Sequence, residues 1–315
     1  MISLLFILAG LILLVAGGDA LVRGASGLAA RLGVSPLFAG LVIVGFGTSA
    51  PELTTSVSAA LAGSPGIAVG NVVGSNIANI LLILGAAVIV SPLAVRAGAF
   101  KRDAPALLIA TALAAGALAF LPMGRWAGAA LCAALIVYVA VSFVMDRTTG
   151  DAAAALHAAE ADSVAAPDRI GVAAGLTLAG LAGVVLGAMA LVRGAVALAG
   201  ALGAPEALIG LTVVAVGTSL PELAASLAAA RRGQGDIALG NVIGSNIFNA
   251  SFILGAAAIA APFDPPASII GLDVWVMGAA AVLLTVFALT GWRIDRREGA
   301  ALLLAYAGYI AWTAL

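Results

Sequence analysis

Apolar residues run along this chain in long unbroken blocks, near 1–22, 36–62, 66–92, 104–121 and 125–145, and again at 170–192, 206–230, 237–262, 268–290 and 296–315. Most approach the roughly 20 residues that an α-helix needs to cross a bilayer. The alternating segments of about ten residues that a β-barrel requires are missing. The pattern therefore predicts an all-α polytopic membrane protein with ten transmembrane helices. The first block has no basic residue ahead of it and exceeds the apolar core of a signal peptide, so it is read as a permanent helix.

The polar positions inside these blocks occur in duplicate. Thr48-Ser49-Ala50-Pro51-Glu52-Leu53 returns as Thr218-Ser219-Leu220-Pro221-Glu222-Leu223, and Gly70-Asn71-Val72-Val73-Gly74-Ser75-Asn76-Ile77-Ala78-Asn79 returns as Gly240-Asn241-Val242-Ile243-Gly244-Ser245-Asn246-Ile247-Phe248-Asn249. The offset is 170 residues with no gap, and Leu21-Val22-Arg23-Gly24-Ala25 repeats as Leu191-Val192-Arg193-Gly194-Ala195 at the same distance. Two units of five helices follow, residues 1–145 and 169–315, joined by a cytoplasmic linker at 146–168. Five is odd, so the second unit enters the bilayer from the opposite side and the repeats are inverted. Inverted repeats carrying matched polar sites at mid-membrane are the pattern of a secondary transporter.

Composition and charge refine this picture. The chain is 63% hydrophobic and 9% charged, with a mean hydropathy of +1.19, values that exclude a soluble domain. Cytoplasmic loops collect Lys and Arg. With the N-terminus outside, only Arg125 and Arg193 among the 14 basic residues fall on the outer face, so both termini are expected to be extracytoplasmic. The linker carries Asp146, Asp151, His157, Glu160, Asp162 and Asp168, without the ordered spacing and glycine of a calcium-binding loop. Cys132 is the sole cysteine, so no intramolecular disulfide can form.

Pro51 and Pro221 interrupt their helices, each removing an N–H and freeing the carbonyl four residues earlier, at Gly47 and Gly217. Thr48 and Glu52 share a helix face, as do Thr218 and Glu222; Ser75 with Asn79 and Ser245 with Asn249 repeat the spacing on the next helix. Convergence of the four faces would create an all-oxygen cage with two carboxylates, suited to a hard cation. Small polar residues in membrane helices commonly serve close packing, and for a single Ser or Asn that reading comes first. A mid-span Glu costs about 2.5–3.5 kcal/mol or more to insert, so a matched pair points to function. Among the other acids, Asp19 is expected to pair with Arg23, Asp236 to cap a helix, and Asp273 to reach water.

The paired segments G-T-S-A-P-E-L and G-T-S-L-P-E-L, each followed by G-N-V-x-G-S-N-I-x-N, resemble the two alpha repeats of the sodium/calcium exchanger family, in its compact prokaryotic form. The resemblance implies that Glu52 and Glu222 are shared by a calcium site and flanking sodium sites. It implies oxygen ligands from Thr48, Ser49, Thr218, Ser219, Ser75, Asn79, Ser245 and Asn249, and backbone oxygens from Gly45 and Ala215. It also implies that the first and sixth helices slide across this core. Asn249 stands where potassium-dependent relatives carry Asp, which argues against potassium dependence, and the proton-coupled branch usually carries a G-N-x-x-E pattern in place of the T-S-x-P-E segment found twice here.

The expected function is electrogenic sodium/calcium antiport in the plasma (inner) membrane, exporting calcium, with no cofactor and no chemical reaction. A proton/calcium antiporter is the nearer alternative. An intramembrane hydrolase using Ser49 or Ser219 lacks a histidine or lysine base in a span near either serine. A passive channel is the remaining alternative, and it would require transport without a counter-ion.

Overall fold

The computed structural model describes residues 2–148, 167, 169–201, 215–265, 269 and 271–313. Their elements are α1 (Ile2–Leu32), α2 (Pro36–Thr48), α3 (Ala50–Leu61), α4 (Pro65–Val90), β1 (Leu93–Ala94), α5 (Ala97–Phe120), α6 (Arg125–Thr148), α7 (Ile170–Ala201), α8 (Ala215–Thr218), α9 (Leu220–Arg231), α10 (Gly235–Ala260), α11 (Asp273–Leu289), β2 (Arg293–Ile294) and α12 (Arg296–Thr313). Among the described residues six helices are long and apolar enough to cross a membrane, and α2 with α3 forms a seventh span bent by 45° at Ser49. The helix expected at 1–22 runs on to Leu32, and most of the expected linker lies outside the described residues.

Local chemistry sets the breaks. Ser35 opens α2, its hydroxyl accepting the Phe38 N–H at 3.1 Å, with Pro36 in the first turn where a missing donor costs nothing. Pro51 and Pro221 occupy the same permissive position in α3 and α9. Each helix break therefore falls two residues before its proline, at Ser49 and Ser219. Asp295 accepts the N–H groups of Arg297 and Glu298, and Glu298 returns a bond to the Asp295 N–H, closing a capping box on α12.

α1 and α7 pack antiparallel along most of their length with glycine at the seam. A Cβ on Gly10 would stand 2.8 Å from the Gly187 carbonyl, one on Gly17 2.7 Å from the Val184 nitrogen, and one on Gly194 2.7 Å from the Ser3 carbonyl. Backbone thus rests on backbone, the small-residue packing by which helices associate in lipid.

Two backbone pairings tie the loops together. β1 pairs antiparallel with β2, and Met123 bridges Phe263. They lie at opposite ends of α5, whose 24 residues span about 36 Å. Trp126, Trp275 and Trp312 are exposed near helix ends, the usual depth for aromatic side chains at a membrane interface.

Two expectations about acids are corrected. Asp19 pairs with Arg232, not with Arg23. The flanking Gly18 lets α9 close onto α1, bringing the arginine after the last turn of α9 within reach. Asp236 is not a cap: it lies in the first turn of α10, behind Gln234, and binds the Arg96 guanidinium at 2.5 Å.

Candidate cation site

The bends bring the two copies face to face. Glu52 and Glu222 enter the centre from the first turns of α3 and α9, and each is only 1% exposed. Each carboxylate takes its hydroxyl from the other copy: Ser49 donates to Glu222 Oε1 at 2.9 Å, and Ser219 to Glu52 Oε1 at 3.3 Å. Thr48 and Thr218 address Glu222 and Glu52 in the same crossed sense. The crossed bonds bring each carboxylate against the serine next to the other copy's helix start.

α4 and α10 complete the walls. Ser75 lies 3.4 Å from the Ser219 hydroxyl. Ser245 donates to the Gly45 carbonyl at 3.1 Å, and Thr48 shares that oxygen at 3.3 Å while bonding Val44 at 3.0 Å. Gly45 ends a π-helical stretch, Gly40–Gly45, a departure from α-helix that is frequent at functional sites. Asn79 and Asn249 each open a further π-helical stretch, Asn79–Leu84 and Asn249–Ile253. Both are buried, and the side-chain oxygen and nitrogen of each are without a hydrogen-bond partner, as are Oε2 of Glu52 and Oε2 of Glu222. Ala215 begins α8, one turn before Ser219.

Of the twelve residues singled out in the sequence, Thr48, Ser49, Glu52, Ser75, Gly45, Thr218, Ser219, Glu222 and Ser245 are thus joined by contacts. Asn79 and Asn249 are buried one turn beyond their serines, and their side-chain amides have no hydrogen-bond partner among the described residues. For Ala215 the described residues give its place at the start of α8 alone.

The structure adds a layer the sequence reading missed. Asn71 donates to the Glu52 carbonyl at 3.1 Å and to Ser56 at 2.9 Å; Asn241 does the same to Glu222, at 3.1 Å, and to Ser226, at 2.8 Å. These braces fix the backbone that carries each carboxylate. Their signal was present, since both asparagines lie in the repeated segment and each serine follows its glutamate by one turn.

The donor set is two carboxylates plus neutral oxygens, and among the described residues no cluster of three or more His, Cys, Asp or Glu forms. Buried anions that face one another, with unfilled oxygens around them, demand compensation by small cations or protons. A cavity of about 370 Å³ reaches this centre, bordered by Gly70, Gly74, Ser75, Ser219, Asp273 and Tyr309.

A sequence-family model described as "Sodium/calcium exchanger protein" matches residues 2–144 and 172–315. The chain is 40% identical over 312 residues to the putative antiporter CaxA of Alkalimonas amylolytica, covering 98% of each protein. It is 36% identical over 341 residues to the sodium/calcium exchanger MaX1 of Methanosarcina acetivorans, covering 98% of this chain and 97% of that one. The inner membrane protein YrbG of Escherichia coli K12 is 34% identical, over 98% and 95%. Among solved structures, the sodium-calcium exchanger NCX_Mj soaked with sodium and without calcium superposes with a TM-score of 0.86 at 32% identity, over 98% of both chains.

Proposed function

The chain belongs to the sodium/calcium exchanger protein family, and from that premise we propose that it is an antiporter exchanging sodium for calcium by alternating access. One observation carries the reading. The crossed serine–glutamate bonds occupy a single oxygen of each carboxylate, leaving Oε2 of Glu52 and Glu222 and the side-chain oxygens of Asn79 and Asn249 buried and free to bind a cation. Calcium takes six to eight such oxygens, and sodium ions can share the same carboxylates. Competition for one cage supplies the coupling, because an empty cage leaves two opposed anions buried in lipid.

The inverted ten-helix arrangement belongs to this proposal. It is supported by equivalent loop pairings at opposite ends of α5 and by an antiparallel α1–α7 pair whose motifs are 170 residues apart. In that arrangement both termini are extracytoplasmic in the plasma membrane, and an inward sodium gradient drives calcium out. The ions are substrates, and no bond is made or broken.

The test is calcium uptake into proteoliposomes loaded with sodium and diluted into sodium-free buffer, with a pH-gradient control and Glu52→Gln alongside. Uptake that needs internal sodium and vanishes in the variant is expected. Uptake that follows the pH gradient and ignores sodium overturns the driving ion.

A further inference from the structure

Asp273, the first residue of α11, lies outside the cage but on the wall of the cavity that reaches Ser75 and Ser219. The Tyr309 hydroxyl on α12 donates to its Oδ1 at 2.9 Å, and among the described residues no Lys or Arg forms an ion pair with it. Tyr306 and Thr313 border the same space with two more hydroxyls. A carboxylate without a paired cation here faces a cavity whose inner wall includes Ser75 and Ser219, and Ser219 is bonded to Glu52.

The other copy shows what this position does without such a role. The residue 170 positions earlier is Asp103, which also accepts a tyrosine hydroxyl, that of Tyr138 at 3.0 Å. Asp103, however, is fully buried and clamped by its neighbour Arg102 through two bonds of 2.7 and 2.9 Å. Leu272 stands at the position equivalent to Arg102. One aspartate is held in a structural ion pair; among the described residues its counterpart beside the cavity has no such cation.

We infer that Asp273 is a recruiting site for a divalent metal cation, holding a hydrated calcium-like ion at the cavity wall before that ion sheds water into the Glu52–Glu222 cage. This rests on the antiport reading and extends it. A charge focused by low-dielectric walls raises the local cation concentration, an effect that salt suppresses. Because Arg102 cancels Asp103, the protein presents such a site on one face of the membrane only, and apparent calcium affinity differs between the two faces.

The experiment uses the full chain in proteoliposomes, titrating sodium-driven calcium flux with calcium presented on the Asp273 face at low and high ionic strength. Asp273→Asn should raise KM about three- to tenfold at low ionic strength, with a smaller change in the saturating rate, and the gap should narrow as salt rises. Tyr309→Phe, which keeps the carboxylate, should stay within about twofold of the parent. An unchanged KM in Asp273→Asn, or an equal shift in Tyr309→Phe, overturns the inference, the latter by making the pair a brace. If the parent protein moves no calcium against sodium, equilibrium binding of radioactive calcium decides separately: a low-affinity component lost in Asp273→Asn supports the recruiting site, and an unchanged isotherm overturns it.

Discussion

The N-terminal halves of α4 and α10 carry the same sequence motif and meet opposite surroundings. On α4, Gly70 and Gly74 border the cavity. On α10, Gly240 and Gly244 are pressed against the backbone of α2, at Leu37 and Leu41, and Gly40 answers from the other side, with a Cβ there standing 2.9 Å from the Ile237 Cα. Around the glutamates, by contrast, the two copies make the same crossed bonds and the same asparagine braces. In the antiport reading proposed above, a symmetric centre between an open flank and a packed flank corresponds to a carrier with one of its two related pathways open.

The largest effect should come from the symmetric centre. Glu222→Gln should suppress exchange as completely as Glu52→Gln, by about 100-fold or more in proteoliposome flux, because either change removes half the compensating charge. A glutamine at one position that left flux intact would break the equivalence of the two copies.

Next come the flanks. Gly240→Val should destabilise the detergent-solubilised protein by about 1–3 kcal/mol, since the added methyls meet backbone. Gly70→Val should cost well under that, since its Cβ would meet only the Ile269 Cδ1 at 3.5 Å. Equal losses in thermal unfolding would remove the distinction between an open and a packed flank.

The braces sharpen the comparison more finely. Asn241 is fully buried and Asn71 only half-buried beside the cavity, so Asn241→Ala should cost about 1–3 kcal/mol and Asn71→Ala less, where water can replace the lost donor. Thermal midpoints of the two variants in one detergent decide it.

The smallest effect lies at the loops. Asp295 caps α12, and the equivalent residue of the first copy is Arg125, with no acid in the first turn of α6. The N–H groups of Glu298 and Arg297 hold the Asp295 carboxyl below its usual range. A lowered folded-state pKa stabilises above the ordinary carboxylate range and is lost as pH falls through the folded value. Asp295→Asn should therefore slightly flatten the acid limb of the stability profile, and the matching Arg125→Gln should leave that limb unchanged.

Much of this was legible because lipid writes its demands plainly. A glutamate inside an apolar block is costly wherever it occurs, so Glu52 and Glu222 marked the centre, and the gapless duplication carried Ser49, Ser219, Ser75 and Ser245 with them. Asn71 and Asn241 escaped notice although they lie in the repeated segment, because one of their two partners is a backbone carbonyl and the other a serine on a different helix, 15 residues away in the chain. Asp19 was misread for a related reason: helical spacing proposes Arg23, and only the approach of α9 over Gly18 brings Arg232 closer. The π-helical stretches have no period of their own in the sequence and came from the structure alone.

Those stretches bear on the history of the chain. A π-helical turn holds one residue more than the α-helix around it. The stretches at Asn79–Leu84 and Asn249–Ile253 begin 170 residues apart within a register that carries no gap. The surplus residue was therefore in the ancestral half before it was doubled, or was acquired twice at one place. Deleting it from one copy would turn the helix after the stretch by about 100° against Ser75 before it and Asn79 at its start, ending the match with the unaltered half. These two short segments can change only together.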